Sequence, residues 1–105
     1  MKIVSRNQTT IRKNSEVCVV TEYPIDDEMM DFAVVEISGR YPAINRAMNQ
    51  QCREIIYINS GSGKIVVNDQ EYSIAAGDVI LIEVGEKFYW EGKCSSLFHV
   101  DLHLQ

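Results

Sequence analysis

Glu54-Ile55-Ile56-Tyr57-Ile58-Asn59-Ser60-Gly61-Ser62-Gly63-Lys64-Ile65 is the stretch whose reading decides the fold of this 105-residue chain. Its first half is rich in β-branched and aromatic residues, the composition of a strand. Consecutive positions are apolar, so both faces of that strand are apolar, as are those of 79–82, which reads as a strand buried on both sides. The Ser-Gly-Ser-Gly segment then reads as a tight glycine turn. Further on, Gly77-Asp78-Val79-Ile80-Leu81-Ile82-Glu83-Val84-Gly85-Glu86-Lys87-Phe88 repeats the theme: a turn, a short solid apolar run, a second turn and an aromatic strand start.

Outward from these two stretches, apolar residues recur at spacing two or in short runs, and nowhere at helical spacing. Strands are expected over residues 17–23, 32–37, 44–50, 54–59, 64–67, 70–74, 79–82, 87–91 and 97–104, with further short ones near 3–4 and 10–12. Val67-Asn68-Asp69-Gln70 is a hairpin turn, because Asn and Asp tolerate positive φ. Ala75-Ala76-Gly77-Asp78, Val84-Gly85-Glu86 and the pair Gly39 and Pro42 mark further breaks, and residues 25–30 form an acidic, Met-containing loop. Many short strands at this spacing give an all-β sandwich or barrel, in one domain spanning 1–105 with no repeat or linker.

Composition narrows the function classes. Apolar residues make up 46% and charged residues 24%, an ordinary globular balance. No apolar run reaches bilayer length, and Met1-Lys2-Ile3-Val4-Ser5-Arg6 has no signal-peptide core, so no membrane partner and a cytoplasmic location are expected. The net charge of −5, with scattered basic residues and an acidic Asp26-Asp27-Glu28, argues against nucleic acid as a partner. Cys18, Cys52 and Cys94 form no CxxC pair and read as buried, reduced thiols.

From Glu54 to Gly92 the chain resembles the core of a cupin. The 54–65 stretch is similar to the family's Glu-strand-Ser-Gly-Gly segment, 77–88 is similar to its second motif, and Gly39-Arg40-Tyr41-Pro42 stands where the first motif's glycine belongs. The whole resembles short stand-alone bacterial cupins, which implies a cupin-type double-stranded β-helix, a jelly-roll barrel. A metal-binding cupin carries His-x-His, a Glu and a distant His. Those positions fall here on Met48-Asn49-Gln50, Glu54 and Phe88. Only Glu54 is a good first-row metal ligand; a thioether, an amide oxygen and a phenyl ring are not. No metal and no other cofactor is therefore expected in the barrel. His99, Asp101 and His103 alternate on one face of the last expected strand. Two histidines four residues apart are about 13 Å apart, too far to share an ion, so only an adventitious surface site is open to them.

The pocket implied by the resemblance is mixed. Arg46, Met48 and Gln50 share a face by the period of two, Glu54 follows on the next strand, and Phe88 and Trp90 come from a later one. These six are the candidate ligand-binding residues, with Arg46 or Gln50 expected to hydrogen-bond Glu54. Nucleophilic catalysis has little support: there is no Gly-x-Ser-x-Gly elbow, and Gly61-Ser62-Gly63-Lys64 lacks P-loop spacing. The reading that results is a metal-free binder of a small polar or sugar-like molecule. Its rivals are an isomerase or lyase using Glu54 as acid and base, and a dimeric structural domain with a filled barrel. Apolar faces on 79–82 and 55–58 exceed what one small barrel can hide, so a homodimer is expected, with residues near Ile3 or in 17–20 able to cross onto the partner.

Overall fold

The computed structural model describes residues 1–27 and 30–101. After a 3-10 turn at Arg6–Gln8 come seven strands: β1 (Thr10–Ser15), β2 (Cys18–Tyr23), β3 (Met30–Tyr41), β4 (Arg53–Val67), β5 (Gln70–Ala75), β6 (Val79–Ile82) and β7 (Phe88–Asp101). All pairings are antiparallel, in the order β1-β2-β3-β7-β4-β5, with β6 on β4.

β4 makes the roll. One edge runs along β7 for its full length. The other edge is divided: Glu54 to Tyr57 pair with β6, and Ser62 to Val67 pair with β5. A single strand thus belongs to both halves of the barrel, with a bulge between Ile58 and Ser60 to turn it. Past the bulge, Gly63 faces Gly92 of β7, which faces Gly39 of β3. A Cβ on Gly92 would lie 2.5 Å from the Gly63 Cα, so only glycine lets the two backbones approach this closely. The result is a cupin-type jelly-roll barrel, as the motifs imply.

Several expected boundaries are corrected. Ser60-Gly61-Ser62-Gly63 is not a turn but the continuous middle of β4, so 54–59 and 64–67 are one strand. Likewise 87–91 and 97–104 join through Gly92 in β7, as far as Asp101; residues 102–104 lie outside the described ones. In both cases glycine serves coiling of a long strand rather than reversal of the chain. Residues 44–50 are not a strand. Asn45 has φ of 64°, and the Asn49 side chain accepts from the Gln51 and Cys52 amides at 2.9 and 3.0 Å, folding the chain into turns. Only Ala47 pairs, with Phe88. No strand forms at 3–4, whereas 10–12 fall within β1.

Alternate residues fill the interior: Cys18 and Val20, Val35 and Ile37, Ile56 and Ile58, Phe88 and Trp90. All three cysteines are buried, and burial pushes the Cys18 and Cys94 thiols up, opposed at Cys18 by the nearby Arg12 charge. The opposite face of β4 and β6 stays outside. Ile55 sits across from Leu81 and Tyr57 across from Val79, with Val79 61% and Leu81 47% exposed. No helix among the described residues is long and apolar enough to cross a membrane.

Candidate functional site

Two spaces adjoin through shared lining residues. An inner cavity of about 260 Å³ lies between the inward faces of β1–β3 and those of β4 and β7. An outer groove of about 430 Å³ is lined by Met48, Asn49, Gln50 and Gln51. Ala47, Glu54 and Phe88 line both, so they stand at the junction.

Glu54 is placed by strand alternation. It opens the inward series continued by the fully buried Ile56 and Ile58, and pairs in register with Ile82. Its side chain is half-buried and has no hydrogen bond or ion pair among the described residues. Burial alone raises its carboxyl above the usual carboxylate range. Its neighbour Arg53 faces the other way, with Nη1 3.7 Å from Glu83.

Aromatic rings wall the inner cavity. Phe88 meets Trp90 edge-on at 6.2 Å, and Trp90 meets Phe98 at 5.8 Å, three rings of β7 in one chain of contacts. Phe88 and Trp90 are 7% and 4% exposed, so both rings are packed into the core.

The opposite side of the cavity is polar and was not anticipated. Arg12, Asn14, Glu22 and Asp31 line it, with Arg12 bound to Glu22 and donating to the Asn14 Oδ1 at 2.8 Å. The signal was present in the sequence: Cys18, Val20 and Glu22 alternate, so Glu22 continues a core face inward. Tyr41 and Phe98 were likewise passed over as lining residues.

Of the six candidate residues, five gather here. Met48 and Gln50 line the groove, Glu54 and Phe88 the junction, and Trp90 the cavity. Arg46 does not join them. Its Nη2 lies 3.2 Å from Asp69 Oδ1, and its guanidinium stacks at 4.4 Å on Tyr89, whose ring Arg40 also approaches at 3.9 Å. The expected Arg46–Glu54 bond is absent because 44–50 is a loop, where the period of two does not hold. Gln50 shares the groove with Glu54 but forms no hydrogen bond to it.

Met48, Gln50, Glu54 and Phe88, the positions where a metal-binding cupin carries its ligands, do converge on the groove. Their donors do not fit a first-row metal, since only Glu54 offers an anionic oxygen. Among the described residues no group of three His, Cys, Asp or Glu is placed to hold an ion. His99 Nδ1 lies 3.2 Å from the Asp31 carbonyl, opposite the outward Ile55; the Asp101 side chain and His103 are outside the described residues.

Comparison with curated proteins finds no match. Among solved structures, the barrel resembles Pac13 of Streptomyces, a nucleoside dehydratase, with a TM-score of 0.86 and 16% identity over 96% of this chain and 82% of that one. The polyketide cyclase RemF from Streptomyces resistomycificus gives a TM-score of 0.76 at 19% identity, covering 98% and 80%. A predicted oxalate decarboxylase from Thermotoga maritima gives 0.74 at 21%, covering 96% and 99%. At these identities the likeness is one of fold. The sequence profile of the AraC-like ligand binding domain matches residues 38–91, which hold the end of β3, the Ala47 loop, Glu54, Phe88 and Trp90. With that match spanning more than half of its length, the chain belongs to the AraC-like ligand binding domain family.

Proposed function

We propose that this protein is a binding module that takes a small hydroxylated molecule, sugar-like in size and polarity, into the barrel. The observation that carries this reading is Glu54: a half-buried carboxylate without a protein partner, at the junction where an aromatic cavity opens to a groove. A buried polar group without a partner is costly, and a ligand hydroxyl donating to it removes that cost. The rings of Phe88, Trp90 and Phe98 supply flat apolar surface, and few polar groups converge on it, the usual make-up of a small-molecule site. The cavity volume lies just below the roughly 300–1,000 Å³ of drug-sized sites, which favours a compact ligand. Membership of a ligand-binding family supports the same reading.

The test is a thermal-shift and calorimetric panel of monosaccharides, sugar alcohols, uridine and small acids. A ligand at a hundred times its Kd stabilises the fold by about 2.7 kcal/mol, an easily read shift. Saturable binding that weakens in Glu54→Gln is expected. Binding unaffected by that substitution would place the ligand elsewhere.

The raised carboxyl of Glu54 also supports a second reading, acid/base chemistry on the bound molecule. Under that reading Glu54→Gln abolishes turnover while the substrate still binds.

A further inference from the structure

We infer that the ligand carries an amine as well as hydroxyls, and that its ammonium group seats between Glu54 and the aromatic wall. The inference rests on the binding role proposed above and narrows its ligand class to amino sugars and amino polyols.

The argument is an inventory of charge. The ionised groups lining the inner cavity are Arg12, Glu22, Asp31 and Glu54. Arg12 is engaged by Glu22 and Asn14, which leaves Asp31 and Glu54 uncompensated. Among the described residues the outer groove contributes no cation, and Glu54 is the one charged side chain lining it. Both basic residues close to it in sequence are committed elsewhere, Arg46 to Asp69 and Arg53 to Glu83. An anionic ligand entering this space meets carboxylates and no free guanidinium or ammonium. A neutral polyol satisfies hydrogen bonds but leaves the charge on the half-buried Glu54 unmatched. An ammonium answers that charge, and a ring face turned toward it adds cation–π attraction. The upward push on the Glu54 carboxyl by burial is in keeping with a group that lacks its counter-charge.

The experiment compares matched trios on one skeleton by calorimetry at neutral pH and about 0.15 M salt, where long-range attraction is screened. The probes are glucosamine, glucose and glucuronate, then galactosamine, galactose and galacturonate. Within a trio the amine should bind about tenfold or more tighter than the neutral sugar, since charge-assisted bonds are roughly twice as strong as neutral ones, and the acid weakest. Glu54→Gln should erase the preference for the amine while changing the neutral sugar's affinity only a few-fold. Glu71→Gln, which removes an exposed carboxylate paired with Lys64 and lining neither space, should leave the preference intact. If both substitutions reduce it equally, general attraction to an acidic protein explains it and the inference falls. A neutral sugar or acid binding as tightly as its amine overturns the inference but leaves the hydroxylated-ligand reading standing. If neither these trios nor the wider panel binds, both fall. Glu54→Met, which removes the charge at similar side-chain length, provides the same comparison should Glu54→Gln prove unfolded, and an amine preference that survives it overturns the inference.

Discussion

Glu54 is a carboxylate whose folded surroundings disfavour its charge. A carboxyl raised on folding binds its proton more tightly in the native state than in the unfolded one. Its contribution to stability is therefore most favourable below the ordinary carboxylate range and is lost as pH rises through the raised value. Glu54→Gln removes this liability. The variant should melt above the wild type at pH 7, and the gap should close as pH falls below the usual glutamate range; a Tm series across pH reads it. The opposite sign at pH 7 would mean that the carboxylate has a stabilising partner. The inward facing of Glu54, Phe88 and Trp90 was legible because each lies on a strand, where alternation fixes the facing. Arg46 was misread because the same rule was extended to a stretch that turns on Asn45 and Asn49.

At the scale of elements, glycine was the residue most easily misread. Ser60-Gly61-Ser62-Gly63 has the composition of a turn, yet what the chain needs there is close contact between β4 and β7. Gly92 stands at φ of 149°, and a Cβ on it would meet the Gly63 backbone at 2.5 Å. Backbone cannot give way as a side chain does, so Gly92→Ala should unfold the barrel or lower its stability by several kcal/mol, beyond the roughly 0.5–3 typical of single substitutions. Gly77, at φ of 96°, has no atom within 4 Å of an added Cβ. Gly77→Ala should therefore cost only the backbone strain of an unfavourable φ, of order 1–3 kcal/mol. Urea melts of the two variants rank them, and equal losses would show that the close approach is not what matters at Gly92. A lone sequence signals that strands exist but not where one passes into the next, because pairing partners come from far along the chain.

For the whole molecule, the jelly-roll class was readable from strand spacing and two motifs, while of the cavity's polar side only the facing of Glu22 was, through its alternation with Cys18 and Val20. Arg12, Glu22 and Asp31 acquire their place only when β1–β3 close over β4 and β7. The outer row of Ile55, Tyr57, Val79 and Leu81 keeps alive the expectation of a homodimer, with a second copy's identical row as its cover. Light scattering at micromolar concentration should give about twice the chain mass of 12.0 kDa, and Tyr57→Glu with Leu81→Glu should return it to the monomer. A wild type that runs as a monomer refutes the pairing.

The division of β4 between two partners also governs how the barrel is reached in time. Its mate β7 lies near the other end of the described chain, with Arg53 opposite Asp101, and β3 must find β7 across an equal or greater span. The β4–β5 hairpin can close early, but both seams of β7, with β3 and with β4, join segments remote in sequence. Loop-closure entropy must be met before those contacts return anything, so refolding should be slow for a chain of this length, on the order of milliseconds to seconds. A stopped-flow jump out of urea should find the barrel's tryptophan, Trp90 on β7, reporting that late docking rather than an early local event.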